Sequence, residues 1–422
     1  MNEEGSFHPA QSRDLLTYFV EFAQKTFIPS LEKVYRGGET HVGSLSVIPD
    51  DMMPEHVGAF YMTAQPDGQL LRTLAGGPVA PITGMYIGMS TAITVAAVMQ
   101  GHTQQLPTAM RLKVIEEFKT QLQIVIHESI HSVGPSDIAA FQREGELTAR
   151  SGLNPWKEAV TQLATQEDMD TILAAAGLTQ AEPMMAQVKA RDIGSYVGMV
   201  EGAQVIIAGL TAMVPGANFS DNLHQIVAQG CGRTALSNLV RSALAANGVT
   251  DPKVTSDLVM KTAATLNKLN RSYKQVLSDL DTQASSKQIT RDIVDAAMAD
   301  LRTKGAQAGH AIVDEVEAVI QGGPSAERPL RHMGTGPSSQ RPMFSSPDST
   351  ELAPLRPGQA IRGVGAYSPR DAEALLRDLA KALGLMDIST LPPVTTSVNR
   401  KAPSVAPVAR RPAPPTSHGE LS

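Results

Sequence analysis

The stretch Ile124–Gly134 reads IVIHESIHSVG, and Glu128 is its one formally charged residue. Ile124, Val125 and Ile126 lead in, while Ile130 and Val133 follow, a spacing that predicts a buried helix. His127, Glu128 and His131 are therefore polar side chains on an apolar helix, and such burial is costly unless a partner satisfies them. The two histidines stand four residues apart, so their rings leave the same helical face and can share one ion. Two imidazoles suit Zn2+, and a hydrolytic zinc site needs a third protein ligand and one open position. Glu128, beside the first histidine, can reach that open position without ligating the metal and can carry a proton there.

The surroundings of this stretch set the fold class. Upstream, TAMRLKVIEEFKTQLQ extends the helix back to Pro107, with Thr108 as its expected N-cap. Downstream, Gly134-Pro135 is expected to end it, and Ser136 to cap the next helix, DIAAFQREGELTAR. Further helices are predicted around 155–165, 168–176, 192–213, 221–246, 251–283 and 288–321. Nearer the N-terminus, SRDLLTYFVEFAQKTF has helical spacing, and Pro29 is expected to close it.

Residues 43–75 differ in character. GSLSVI alternates, and GAFYMTAQPDGQLLRTLA reads as two short strands joined through Pro66, Asp67 and Gly68. The expected fold is thus mainly α, of α+β type, with a small antiparallel β element ahead of the motif helix. Four segments follow: an N-terminal helical segment at 1–42, the β element at 43–75, a helical catalytic domain at 76–321 and a tail at 322–422.

Composition narrows the function. Aromatic residues make up only 4 %, against 42 % hydrophobic residues overall, which favours packed helices over a β-sandwich. A net charge of −6 offers no electrostatic footprint for nucleic acid. The single cysteine, Cys231, excludes an internal disulfide and a multi-cysteine zinc site, and reads as a small buried residue. MNEEGSFHPAQSRD shows no signal-peptide pattern, so the expected location is cytoplasmic, or outside the cell by a route without such a signal.

Residues 73–110 carry no formal charge, but Gly76, Gly77, Pro78, Pro81, Gly84 and Gly88 interrupt the first half. They read as a buried, loosely wound core segment rather than a membrane span.

Beyond Gly322 the chain turns to Pro, Ser, Arg and Gly, with 12 Lys/Arg against 8 Asp/Glu. Stretches of this kind bury too little apolar surface to offset ordering entropy, so the tail is expected to be disordered. One island, SPRDAEALLRDLAKALGL at 368–385, has a Leu face at helical spacing. It would dock on the body of the chain or on a protein partner.

H-E-x-x-H is the pattern of zinc metallopeptidases. The chain resembles the zincins, most closely the gluzincin type, in which a second helix carries a glutamate ligand in an E-G context. FQREGELTARSG matches that context, and the resemblance implies His127, His131 and Glu144 as zinc ligands, with Glu128 as general base and then acid. Two alternatives for the third ligand stay open. HESIHSVGPSD also fits an extended arrangement in which Asp137 ligates, a family that requires a methionine turn, with Met213 the nearest candidate. Glu201 is a lone acid in the apolar helix around SYVGMVEGAQVIIAG.

Tyr196 is a candidate stabiliser of the oxyanion. His224 and His310 read as structural or surface residues. In zincins a strand edge binds the substrate in extended form, and the hairpin at 57–75 would supply that edge. The expected activity is zinc-dependent hydrolysis of peptide bonds in a peptide or protein substrate, and a delivered effector or toxin is compatible with the tail. The competing expectation is a non-enzymatic helical scaffold whose tail recruits a partner.

Overall fold

A computed structural model describes residues 9–42, 44–48, 59–62, 84–188, 196–285, 290–322 and 394–397. The protein is mainly helical. Helix α1 (Pro9–Phe22) runs through a π-helical turn at Ala23–Phe27 directly into α2 (Ile28–Val34). Pro29 was expected to close this helix. It lies instead inside this continuous helical run, as the second residue of α2 directly after the π turn. Leu15, Phe19 and Leu31 share one hydrophobic core with Phe118, Trp156 and Val316, so the N-terminal helices belong to the same body as the motif helix.

The β structure is larger than the sequence suggests. A two-stranded antiparallel sheet joins β1 (Glu39–Thr40) to β5 (Val133–Gly134). A second sheet contains β2 (Ser44–Ile48), β3 (Ala59–Met62), β4 (Gly84–Gly88) and β6 (Val394–Ser397), in the order β3-β4-β2-β6. Strands β2 and β4 are parallel, whereas β3–β4 and β2–β6 are antiparallel.

Of the expected hairpin, the first strand is present as β3. Its turn and second strand lie outside the described residues, and β3 pairs with β4 from the uncharged segment. That segment, read as loosely wound, forms the buried strand β4 and then helix α3 (Met89–Met99). No helix among the described residues is long and apolar enough to cross a membrane. Strand β6 comes from the tail, which was expected to lack structure, and pairs antiparallel with β2. The amphipathic island at 368–385 lies outside the described residues.

The motif helix α4 (Thr108–Ile130) begins after Pro107, so Thr108 is its first residue rather than its cap. Asp137, not Ser136, caps α5 (Ile138–Arg150) by accepting a bond from Ala139 N. The two helices expected at 155–165 and 168–176 are one, α6 (Asn154–Ala175), since no helix breaker separates them. After the short α7 (Leu178–Ala181) come α8 (Met199–Ala212), α9 (Phe219–Ala228), α10 (Arg233–Ala246), α11 (Pro252–Ser285) and α12 (Arg291–Ile320). The helix expected at 221–246 is divided by Gly230-Cys231-Gly232. There Gly230 and Cys231 both have positive φ, which ends α9.

Three helix pairs place the site: α4 packs on α6, α6 on α8, and α8 on α12. The chain leaving α4 is fixed by His41, whose backbone N–H donates to Ser132 O at 2.7 Å. Its ring Nε2 lies 2.6 Å from Pro135 O.

Candidate metal centre

The motif stretch is mostly buried, and its two serine hydroxyls are satisfied by nearby backbone carbonyls. Ser129 Oγ donates to Val125 O and Ser132 Oγ to Ser129 O, each at 2.6 Å. That leaves His127, Glu128 and His131, which the structure brings together: one ligand atom from each lies within 4.8 Å of the others. His131 ends the helix as its C-cap but keeps helical φ and ψ, so the four-residue spacing still aims both rings one way.

Helix α6 faces them with three polar side chains, Glu158, Thr161 and Gln162, spaced i, i+3, i+4 on one face. Gln162 Oε1 accepts the Nδ1 proton of His127 at 3.0 Å, and the Thr161 hydroxyl lies 3.4 Å from His131 Nδ1. Both Nδ1 atoms are thereby occupied, and both Nε2 atoms point inward. His131 Nε2 is 3.1 Å from His127 Nε2. Glu158 Oε2 is 3.3 Å from His127 Nε2 and 3.2 Å from His131 Nε2. A tetrahedral zinc with bonds near 2.0–2.1 Å has ligand–ligand edges of about 3.3 Å. Glu158 thus completes a triangle of donors with the dimensions of one face of such a tetrahedron.

Electrostatics couple the three groups. Burial disfavours a charged His127, but the hydrogen bond to Glu158 and the carboxylates of Glu128 and Glu158 outweigh it and raise its pKa. Burial also opposes charge on Glu158, yet the two imidazoles hold its pKa well below the usual carboxylate range. The histidines therefore have protein partners, and burial alone does not require a metal to satisfy them.

Tyr196 stacks on His127, with ring centroids 5.7 Å apart and planes 8° from parallel. It is 8 % exposed, and burial followed by the charges of Glu158 and Glu128 raises its phenol pKa well above the ordinary value. Its φ of 58° is left-handed, a conformation that among non-glycine residues only Tyr196 and Cys231 adopt in the described chain. Tyr196, a candidate oxyanion stabiliser from the sequence, is thus in contact with the His127 ring.

The three acids weighed as third ligand are engaged elsewhere. Glu144 is buried, and its carboxylate accepts from Thr234 N at 2.6 Å and from the Thr234 hydroxyl, holding the first turn of α10. Asp137 is the exposed N-cap of α5. Glu201 accepts from Gly198 N at 2.7 Å and pairs with Arg302 Nε at 3.2 Å, an arginine 101 positions further along the chain. Met213 ends α8 as its C-cap.

His224 pairs with Asp168 at 2.9 Å, and His310 is exposed, as expected of structural and surface residues. Cys231 is buried and unpaired in any disulfide. Sequence reasoning missed Glu158, Thr161 and Gln162. A signal existed in the i, i+4 pair Glu158/Gln162 within NPWKEAVTQLA, but the adjacent Lys157 gives it the look of a solvated charge pair.

No protein-family model, no curated protein and no solved structure matches this chain.

Proposed function

We propose that the protein is a zinc-dependent metallopeptidase whose metal ligands are His127, His131 and Glu158. The observation that carries this is the convergence of His127 Nε2, His131 Nε2 and Glu158 Oε2 on one point, with edges of 3.1–3.3 Å. Three such atoms so close together have the spacing that a shared cation would take. Two imidazoles and a carboxylate are a donor set that zinc takes with a fourth position open. When bound, the metal would polarise a carbonyl and activate water for attack.

The chain's own residues supply the rest. Gln162 holds the His127 imidazole in the tautomer that frees Nε2, and the Thr161 hydroxyl lies beside Nδ1 of His131. Glu128, beside the ligand cluster and partly exposed, takes the proton as water attacks the peptide carbonyl and delivers it to the leaving amine. Tyr196 keeps its phenol proton at neutral pH, because burial and two nearby carboxylates disfavour the phenolate. It can therefore donate to the oxyanion that forms.

A second reading has one observation in its favour. The raised pKa of His127 and the lowered pKa of Glu158 suit a proton as the shared cation, which would make the cluster a structural ion pair in a non-catalytic scaffold. Elemental mass spectrometry of the purified chain separates the two. The metallopeptidase reading expects near-stoichiometric zinc, lost in His127→Ala/His131→Ala. It also expects Glu128→Gln to keep the metal and lose peptide hydrolysis. No metal in either protein, or full hydrolysis by Glu128→Gln, sinks it.

A further inference from the structure

We propose that helix α12 holds Tyr196 over the metal centre, with Gly305 and Arg302 as positioning residues. The kinetic part of this inference rests on the metallopeptidase reading; the structural part does not. Tyr196 enters α8 through a left-handed turn, and its carbonyl accepts from Met199 N at 3.0 Å and Val200 N at 3.1 Å. The ring is therefore tied to the first turn of α8, and whatever fixes that turn fixes the ring on His127.

Helix α12 fixes it in two ways. The first is steric. A Cβ on Gly305 would lie 1.9 Å from Gly198 O and 2.6 Å from Gly198 Cα, so only glycine lets α12 approach this turn. A Cβ on Gly198 would lie 2.7 Å from Leu301 O, so the approach is closed from both sides. Gly309 repeats the pattern one turn on, where a Cβ would sit 2.8 Å from Gly202 O.

The second is electrostatic. Glu201 bonds Gly198 N through Oε2 and Arg302 through Oε1, so one carboxylate joins α12 to the residue two positions after Tyr196. A left-handed φ at a non-glycine residue persists only where surroundings over-determine it, and this interlock supplies that constraint. None of the proposed metal ligands lies on α8 or α12, so loosening the interlock should move Tyr196 without removing the metal.

The test uses the full chain with Gly305→Ala, Arg302→Ala, Arg302→Lys and Tyr196→Leu, each checked for folding by thermal melting. Proton NMR of the His127 ring, assigned by its absence in His127→Asn, reads the stacked aromatic through its ring-current shift. Gly305→Ala and Arg302→Ala should move that resonance towards its position in Tyr196→Leu, leave the His131 resonance in place and keep the zinc content. Arg302→Lys should restore part of the shift. On an unstructured peptide substrate, kcat should fall about 100-fold in Gly305→Ala with KM little changed, as expected for about 1 Å of misplacement of a catalytic group.

A His127 resonance unmoved in Gly305→Ala and Arg302→Ala, but moved in Tyr196→Leu, overturns the proposal. So does a change that reaches His131 equally, since that would be general loosening. If Gly305→Ala fails to fold, the Arg302 pair decides. If no protein hydrolyses peptide, the metallopeptidase reading fails, and the NMR comparison still decides the positioning.

Discussion

Gln162 Oε1 accepts the Nδ1 proton of His127 at 3.0 Å, and this one bond aims the Nε2 lone pair of that ring at His131 and Glu158. The partner is a neutral amide, so it orients the imidazole without adding charge to the site. Gln162→Leu removes the acceptor and should weaken zinc binding about 10–100-fold. Competition with a chromophoric chelator measures this, and unchanged affinity would remove Gln162 from the site.

Glu158 and Glu144 make an informative pair of variants. Glu158→Gln should abolish stoichiometric zinc, because an amide is a poor replacement for the anionic ligand. Glu144→Gln should keep the zinc and lower stability by about 1–2 kcal/mol, the scale of a lost helix-terminus bond. Metal analysis and urea midpoints on both proteins check this; the reverse pattern would restore Glu144 as the ligand.

Glu182 contributes to acid stability. Its buried carboxylate receives Arg111 Nε at 2.9 Å, Arg111 Nη2 at 2.6 Å and the Thr103 hydroxyl at 2.7 Å. Burial alone would raise its pKa, but Arg111, Thr103 and Met184 N hold it below the ordinary carboxylate value. The folded pKa is below the unfolded one, so this stabilisation is full above the usual carboxylate range. It is lost as pH falls through the depressed folded value. Glu182→Gln should cost about 2–3 kcal/mol at neutral pH, less than a fully buried pair because Arg111 stays partly solvated. It should also flatten the acid limb of a stability–pH curve, and an unaltered acid limb would contradict the assignment.

Cys231 should resist thiol reagents until the protein unfolds. It is 1 % exposed, and burial pushes its thiol pKa up to about 11. Little thiolate exists at pH 8, and none of it faces solvent. Stoichiometric labelling with an aromatic disulfide should require denaturant. Rapid labelling of the native chain would show that the Gly230–Gly232 turn opens.

Much of the local design is legible in the sequence. The 3.6-residue period places His127 and His131 on one face, and the same period shows that this face is buried. The mainly helical fold follows from composition and periodicity. Long helices such as α11 and α12 lie close to their expected bounds, because their signals are repeated over many turns. Where the sequence reading failed locally, short-range competition was the cause. Asp137 displaced Ser136 as cap, Pro29 lies inside a helical run instead of ending it, and β4 was hidden by the glycines that bound it.

The third ligand was a different matter. Glu144, Asp137, Glu201 and Glu158 are all acids within reach along the chain, and Glu144 has the most suggestive neighbours. Nothing local distinguishes a glutamate that caps a helix from one that faces a metal, since both are acids on amphipathic helices. The packing of α6 across α4 brings Glu158 to the two histidines, and the packing of α10 against α5 gives Glu144 to Thr234. Likewise, Glu201 reads as a lone buried acid until α12 brings Arg302 back across 101 positions. The sequence by itself determined which residues share a helix face, because that depends on dihedral angles repeated over a few residues. Which faces meet was decided by tertiary structure alone, because it depends on burying all the apolar stripes of the chain at once.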